Sequence, residues 1–481
     1  MSTTPAGPPP DSLGPGQASD LRERDWLREN WALQCRLAET QRSLKLARAD
    51  IDAMLNSRSW RSTRLLRTGL DALRRLLHPG STDGSAPLLR SVDEFAPAIP
   101  RSGQPLLMVD VTELAIENLQ GGIQHTVKGI LSEWLLQPPA GWQIVPVQLT
   151  REGIYVSASR DLDYLFGPFE DPWRGCQVAA RDGDIFLGLD LLRDHAQVFR
   201  DALGRLRSQH VRIDIVIYDL LPIDLAACVP ERINRSFEQW LNVVGDMADG
   251  AICISETVAK RFSRWFSSRT GRNRGVAISS FRLGVPSVSA VPVDRPSRPD
   301  GQSVSFLMVG TVEPRKGYVD AVDAFEQIWR SPGGSDITLT IVGRYGWGME
   351  EFLRRLETHP QLGRPLRWLR YATLDDVHAC YQAAVALLFC SYGEGFGLPI
   401  VEAAQHRLPM LLRDLPEFRE VAGMGAYFFS GVGGAGVEAA LRQWLHLRRE
   451  GKAPAPASDI AISWQQSAGQ LLSVVRAVGA P

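Results

Sequence analysis

The feature that most limits what this chain can become is a rhythm that runs twice. From Leu106 onward, short apolar runs alternate with helical patterns. The alternation pauses in a stretch rich in proline and serine and begins again at Val304. In the first round the candidate strands are Leu106 to Asp110, Ile144 to Val147, Asp184 to Leu187, Ile213 to Tyr218 and Gly250 to Ile254. In the second, Val304 to Val309, Ile337 to Val342, Leu366 to Arg370 and Val385 to Cys390 are strands. Val319 to Arg330, Glu350 to Thr358 and Leu374 to Ala383 are the helices between them. Strands alternating with helices favour parallel sheets. The expected fold class is therefore α/β, with two Rossmann-like domains facing a cleft and an N-terminal helical extension. Open parallel sheets bind ligands beyond the carboxyl ends of their strands.

The rest of the chain divides around these two rounds. Residues 1–19 read as a disordered tail and 20–78 as a helical, weakly coiled-coil extension. Residues 79–104 form a linker and 105–285 the first α/β domain. Residues 286–303 make a second linker, 304–456 the second α/β domain, and 457–481 a terminal helix. Within the extension, Trp60, Leu66, Leu70, Leu73 and Leu77 share one helix face, among Arg58, Arg61, Arg64, Arg67, Arg74 and Arg75 with Asp71 the single acid. Such a helix suits an anionic membrane surface; packing on the body or on a second subunit is the competing reading. The extension is also where a homo-oligomer or a partner protein would bind.

Composition removes several classes. A net charge of -1 gives no nucleic-acid signature. The six cysteines, at 35, 176, 228, 253, 380 and 390, contain no CxxC pair, which suits a reducing cytosol. No apolar run reaches the roughly 20 residues of a bilayer span, and the first residues lack the regions of a signal peptide. The expected location is the cytoplasm, with the basic helix offering a peripheral contact to the inner face of the membrane. Asp161-Leu162-Asp163 matches an Asp-x-Asp metal motif formally but precedes no phosphate loop, and the histidines, among them His125, His195 and His378, show no ligand spacing. No metal and no cofactor are expected. A Gly-x-Ser-x-Gly elbow and a Gly-Lys-Ser/Thr phosphate loop are both missing.

Two segments carry chemistry. In Val309-Gly310-Thr311-Val312-Glu313-Pro314-Arg315-Lys316-Gly317 a strand gives way to a helix through a glycine and two cations. Gly310 permits close backbone approach, and Arg315 with Lys316 beside a helix N-terminus suits a diphosphate. A turn with two solvated cations is the plainer alternative. In Ser391-Tyr392-Gly393-Glu394-Gly395-Phe396-Gly397-Leu398-Pro399-Ile400-Val401-Glu402-Ala403 the glycines can wrap a ligand and Pro399 suits the first helical turn. Amides near Gly397 and Leu398 would face an anion. Glu394 in the loop and Glu402 one turn into the helix make sense as acceptors of sugar hydroxyls on either side of it.

The pair Glu394 and Glu402, preceded by Arg315-Lys316, resembles the retaining glycosyltransferases of family 4, which have the GT-B fold. The resemblance covers most of residues 106–478. It includes Gly121-Gly122-Ile123-Gln124, Asp219-Leu220-Leu221-Pro222, Ile254-Ser255-Glu256, Leu283-Gly284-Val285, Gly343 with Gly346-Trp347, and Leu415-Pro416-Glu417-Phe418-Arg419-Glu420. It implies a metal-independent hexosyltransferase with Arg315, Lys316 and Glu394 as its catalytic set. Arg315 and Lys316 would hold the donor diphosphate, Glu402 the ribose and Glu394 hydroxyls of the transferred sugar. Gly310, Gly397 and Leu398 would give backbone contacts. Gly122 would lie near the donor across the cleft, and Tyr371 to Thr373 would border the nucleobase. Many relatives carry a histidine where Tyr218 stands, so a base there is not carried over. Asp219 either positions donor or acceptor or caps its turn.

The resemblance further implies front-face attack with retention. The wording of Tyr218-Asp219-Leu220-Leu221-Pro222 and Gly346-Trp347 looks like mannosyltransferases and rhamnosyltransferases of bacterial O-antigen or capsule assembly. GDP-mannose is then the first donor to consider, with a lipid-linked or polysaccharide acceptor. The rivals are a twin-domain phosphorylase or synthase of a storage sugar, and a catalytically silent GT-B scaffold of a polysaccharide assembly complex.

Overall fold

The computed structural model describes residues 89, 98–116, 121–158, 176–269, 275–286, 304–457 and 459–477. The tail, the helical extension with its arginine-rich face, most of the two linkers and Asp161-Leu162-Asp163 lie outside the described residues. All described residues fall in one unit, Leu89–Ala158 with Trp173–Pro481.

The first round of alternation makes a sheet of seven strands: β1 (Leu106–Asp110), β2 (Gln143–Leu149), β3 (Tyr155–Ser157), β4 (Ile185–Gly188), β5 (Arg212–Ile217), β6 (Gly250–Cys253) and β7 (Ala277–Ser280). Their order is β3-β2-β1-β4-β5-β6-β7. Every pairing is parallel except that of β2 with β3. β1 is buried along its whole length, as a central strand covered on both faces must be. β3 and β7, at the two edges, are three and four residues long, too short for their apolar residues to set a strand pattern. Before β1, Ala98 pairs with Gln177 and Ile99 is buried, so the end of the stretch read as a linker lies against this domain.

The second round makes six parallel strands: β8 (Val304–Val309), β9 (Ile337–Val342), β10 (Leu366–Leu369), β11 (Ala386–Phe389), β12 (Met410–Arg413) and β13 (Tyr427–Phe429). Their order, β10-β9-β8-β11-β12-β13, is that of a Rossmann sheet. The helix Tyr318–Trp329 buries Tyr318, Ala321, Val322, Phe325 and Ile328, which is the three-four spacing of one face. It packs with Gly433–Arg449 over one face of the sheet, where the Phe306 ring meets Phe325 at 5.6 Å and Trp444 at 5.5 Å, edge on.

In each sheet the strand order reverses once, between β1 and β4 and between β8 and β11. Those reversals open the crevices in which such folds bind ligands. The loops after β8 and β11 carry both chemistry-bearing segments. The last helix, Trp464–Ala477, leaves the second domain and packs on the helix Gly122–Leu136 of the first. Gly129 makes room for it: a Cβ there would fall 2.3 Å from the Trp464 ring.

Candidate functional site

Gly310 follows β8 with φ +137, and its carbonyl accepts the Tyr318 hydroxyl at 2.6 Å. Gly343, at the end of β9, lies so close that a Cβ would come within 1.9 Å of the Gly310 oxygen. The chain then makes a single 3-10 turn, Pro314–Lys316, and enters the helix through Gly317, whose φ of +68 and contact with the Cys390 carbonyl require glycine. The loop after β11 is tied to this turn, because the Tyr392 amide donates to the Arg315 carbonyl at 2.7 Å.

Arg315 and Lys316 are half-buried, not free in solvent. Both point at Glu394: Nη1 of Arg315 lies 3.0 Å and Nζ of Lys316 2.5 Å from its Oε1. The Ser391 hydroxyl donates to the same oxygen at 2.8 Å. Arg315 Nη1 also donates to the Gly393 carbonyl at 3.1 Å, and its Nε lies 3.1 Å from Glu313 Oε2. Burial alone would raise the Glu394 pKa, but the charges of Arg315 and Lys316 outweigh it and bring it down to about 2. Burial and the neighbouring Arg315 charge lower the Lys316 ammonium, while Glu394 and Glu313 oppose the shift. Arg315 is held charged against burial by Glu394, Glu313 and Asp219. Glu313 and Asp219 are both raised by burial, with Arg315 working against the shift in each.

The helix Leu398–Gln405 starts from Gly397 at φ +96 with Pro399 in its first turn. One turn in, Glu402 accepts the Tyr381 hydroxyl at 2.6 Å on Oε2. Its pKa is raised by burial. Tyr381 is itself buried and stacks flat on His406, with ring centroids 5.2 Å apart. From the first domain, Gly122 opens its helix facing Leu398, whose Cδ1 would lie 3.4 Å from a Cβ at Gly122. Asp219 accepts the Leu221 amide at 3.0 Å, which is a turn-capping bond, and still lies close enough to Arg315 and Glu394 to share their field. Gly395 packs on this turn: its Cβ would fall 2.1 Å from the Tyr218 carbonyl. The Tyr218 hydroxyl donates to Leu189 O at 2.7 Å, so this side chain serves the interior of the first domain.

The structure thus brings Arg315, Lys316, Glu394, Gly310 and Asp219 into one cluster, with Gly122, Gly397 and Leu398 meeting beside it. Tyr371 and Thr373 follow the outer strand β10, and the Thr373 side chain is engaged in a capping box with Asp376. Glu313, Ser391 and Glu417 join the cluster without having been singled out. Glu313 lies in the first chemistry-bearing segment, yet a lone acid beside two cations reads as a surface charge until its burial is seen. Among the described residues no group of metal-ligating side chains gathers, and no helix is long and apolar enough to cross a membrane.

The family model described as Glycosyl transferases group 1 matches residues 293–455. The serotype-specific mannosyltransferase WbdA of Escherichia coli is 33% identical over 381 residues, covering 76% of this chain and 46% of that protein. The O-antigen chain mannosyltransferase RfbU of Salmonella typhimurium is 28% identical over 123 residues, covering 26% of this chain and 33% of its own. The chain spans less than half the length of these curated relatives. Among solved structures, Anabaena Alr3699/HepE in complex with UDP and glucose superposes with a TM-score of 0.50 at 13% identity, over 78% of this chain and 99% of that one. The same protein in complex with UDP gives 0.51 at 13% identity, over 78% and 100%. The shared architecture is the GT-B fold.

Proposed function

We propose that this chain, whose residues 293–455 match the glycosyl transferases group 1 model and whose architecture is the GT-B fold, transfers a hexose from a nucleotide-sugar donor to a lipid-linked or polysaccharide acceptor in bacterial surface-glycan synthesis. GDP-mannose is the first donor to test, in keeping with the mannosyltransferases it resembles. The observation that carries the reading is the trio at the β8/β11 reversal: the half-buried Arg315 and Lys316 gathered on the buried, ionised Glu394. Two half-buried cations at a strand end suit the diphosphate of a leaving nucleotide, and a buried carboxylate beside them suits sugar hydroxyls.

In this reading the bond from the anomeric carbon to the phosphate oxygen breaks as the acceptor oxygen bonds to the same face. The acceptor proton passes to the departing phosphate oxygen, and configuration is retained without a metal. Arg315 and Lys316 stabilise the charge that grows on the diphosphate, a transition-state effect. The amides of Gly397 and Leu398 face the phosphate or sugar, Glu402 takes the ribose, and residues 371–373 border the base. Asp219 positions donor or acceptor, and Gly122 leaves room for the donor across the cleft. The extension, residues 20–78, would supply contact with an anionic membrane or a second subunit, on the cytoplasmic side.

The test is thermal stabilisation by GDP, UDP, dTDP and ADP. A ligand at about 100 times its Kd adds roughly 2.7 kcal/mol. One nucleotide should shift the wild type and fail to shift Arg315→Ala. A panel that shifts neither protein at millimolar concentration would overturn the donor site. Turnover in EDTA and the anomeric configuration of the product, read by NMR, test metal independence and retention.

A further inference from the structure

Two sequence segments left without a role, Ile254-Ser255-Glu256 and Leu415-Pro416-Glu417-Phe418-Arg419-Glu420, meet between the sheets. Glu420 accepts the Glu256 amide at 2.7 Å and the Thr257 amide at 2.8 Å, capping from the second domain a helix of the first, Glu256–Ser267. The Ser255 hydroxyl donates to the Gly395 carbonyl at 2.9 Å. Between these contacts lies Glu417, fully buried. Its Oε1 accepts the backbone amide of Glu394 at 3.0 Å, and its Oε2 accepts Arg261 of the first domain at 2.9 Å. Arg261 in turn lies 3.4 Å from Asp224, in the same short helical turn whose start is capped by Asp219.

We propose that Glu417 is a positioning residue: it couples Arg261 in the first domain to the backbone of Glu394, so the loop holds its productive shape only while the two domains are joined. The inference rests on the transferase reading above for its consequence in turnover, but not for the coupling itself. A fully buried carboxylate needs both its charge partner and its hydrogen bonds, and removing one partner leaves the other costly where it stands. Without Arg261, Glu417 has reason to turn toward solvent, and the Glu394 amide then loses its acceptor. Arg315, Lys316 and Ser391 are all held by the Glu394 side chain, so a shift of its backbone would move the whole cluster.

Arg261→Met, Glu417→Gln, the double variant and Arg261→Lys are compared with wild type. Residues acting as one unit give non-additive losses. The single variants should therefore lose turnover of GDP-mannose by about tenfold or more, and the double variant should be no worse than the poorer single. Arg261→Lys should recover part of the loss. Affinity for GDP alone, by calorimetry, should weaken in the same variants and recover in part with Arg261→Lys, because Arg315 and Lys316 shift with Glu394. Amide hydrogen exchange reads the coupling without substrate: peptides spanning 391–397 should exchange faster in Arg261→Met, and the helix Leu374–Ala383 should not. Unchanged exchange across 391–397, or additive losses in the double variant, would overturn the proposal. A wild type that transfers no sugar, with the exchange response present, would sink the transferase reading and leave the coupling standing.

Discussion

Oε1 of Glu394 receives Arg315, Lys316 and Ser391 together, so its charge is fixed by its neighbours and not by solvent. Its pKa of about 2 lies below the ordinary glutamate value of 4.5. Since the folded-state value is the lower one, the stabilisation is complete above pH 4.5 and is lost as pH falls through about 2. Glu394→Gln, which removes the buried charge that two half-buried cations share, should cost about 3–5 kcal/mol at neutral pH. Urea unfolding of both proteins from pH 7 down to pH 2 should show the gap closing below pH 4.5; a gap constant across that range would contradict the ion cluster. In the same cluster, Arg315→Ala should lower kcat/KM by roughly 10²- to 10³-fold, as loss of one oxyanion donor does, with steady-state transfer as the measurement. These identities were readable from the residue order, because Arg315-Lys316 and Glu394 sit in loops that glycines mark. Their mutual arrangement was not. Arg315 and Glu394 are far apart in the sequence, and a cation in a turn reads as solvated until the fold encloses it.

At the scale of elements, legibility followed the clarity of the flanks. Val304–Val309, Ile337–Val342 and Leu374–Ala383 fall where their patterns place them: the strands are apolar runs rich in branched side chains, and the helix begins at a capping box of Thr373 with Asp376. β12 is hard to read in the sequence because it ends in Arg413, a charge that the core accommodates by bonding Cys390 O at 2.9 Å and pairing with Asp320 at 3.0 Å. β3 and β7 are short edge strands, and the helix Gly433–Arg449 opens on glycines, which mask helical periodicity. The terminal helix gives the prediction at this scale. Trp464 is largely buried and fills the space left by Gly129. Trp464→Ala should destabilise the protein by about 3–5 kcal/mol, read by denaturant titration. Hydrogen exchange should rise first in Trp464–Ala477 and Gly122–Leu136. Exchange rising evenly through the second sheet instead would mean the helix is not docked as described.

For the whole molecule, the question is how two sheets with separate cores come to share one site. Besides the bonds of Glu417 and Glu420, glycines let the two domains approach closely. Gly395 rests on the Tyr218 carbonyl, Gly393 on the side chains of Leu221 and Leu225, and Gly284 on the chain at Ser463 and Trp464. Trp347 of the second domain adds a bond to the Cys228 carbonyl at 3.1 Å. A methyl group at Gly395 would stand 2.1 Å from a carbonyl oxygen that no rotamer change can move. Gly395→Ala must therefore push the loop bearing Glu394 away from the turn bearing Asp219. Overpacking of this kind costs about 1–3 kcal/mol, but the larger consequence is geometric, since displacement by about an ångström lowers turnover on the order of 10²-fold. Gly469 supplies the control: it lies in an exposed helical position with nothing within 4 Å of its Cβ direction, so Gly469→Ala should be neutral or stabilising by up to about 1 kcal/mol. Calorimetry and transfer kinetics on the two variants should separate. Gly395→Ala should lose far more activity than its stability loss explains, and Gly469→Ala neither. Equal activity in the two would mean that the close approach of the sheets at Gly395 has no part in assembling the site.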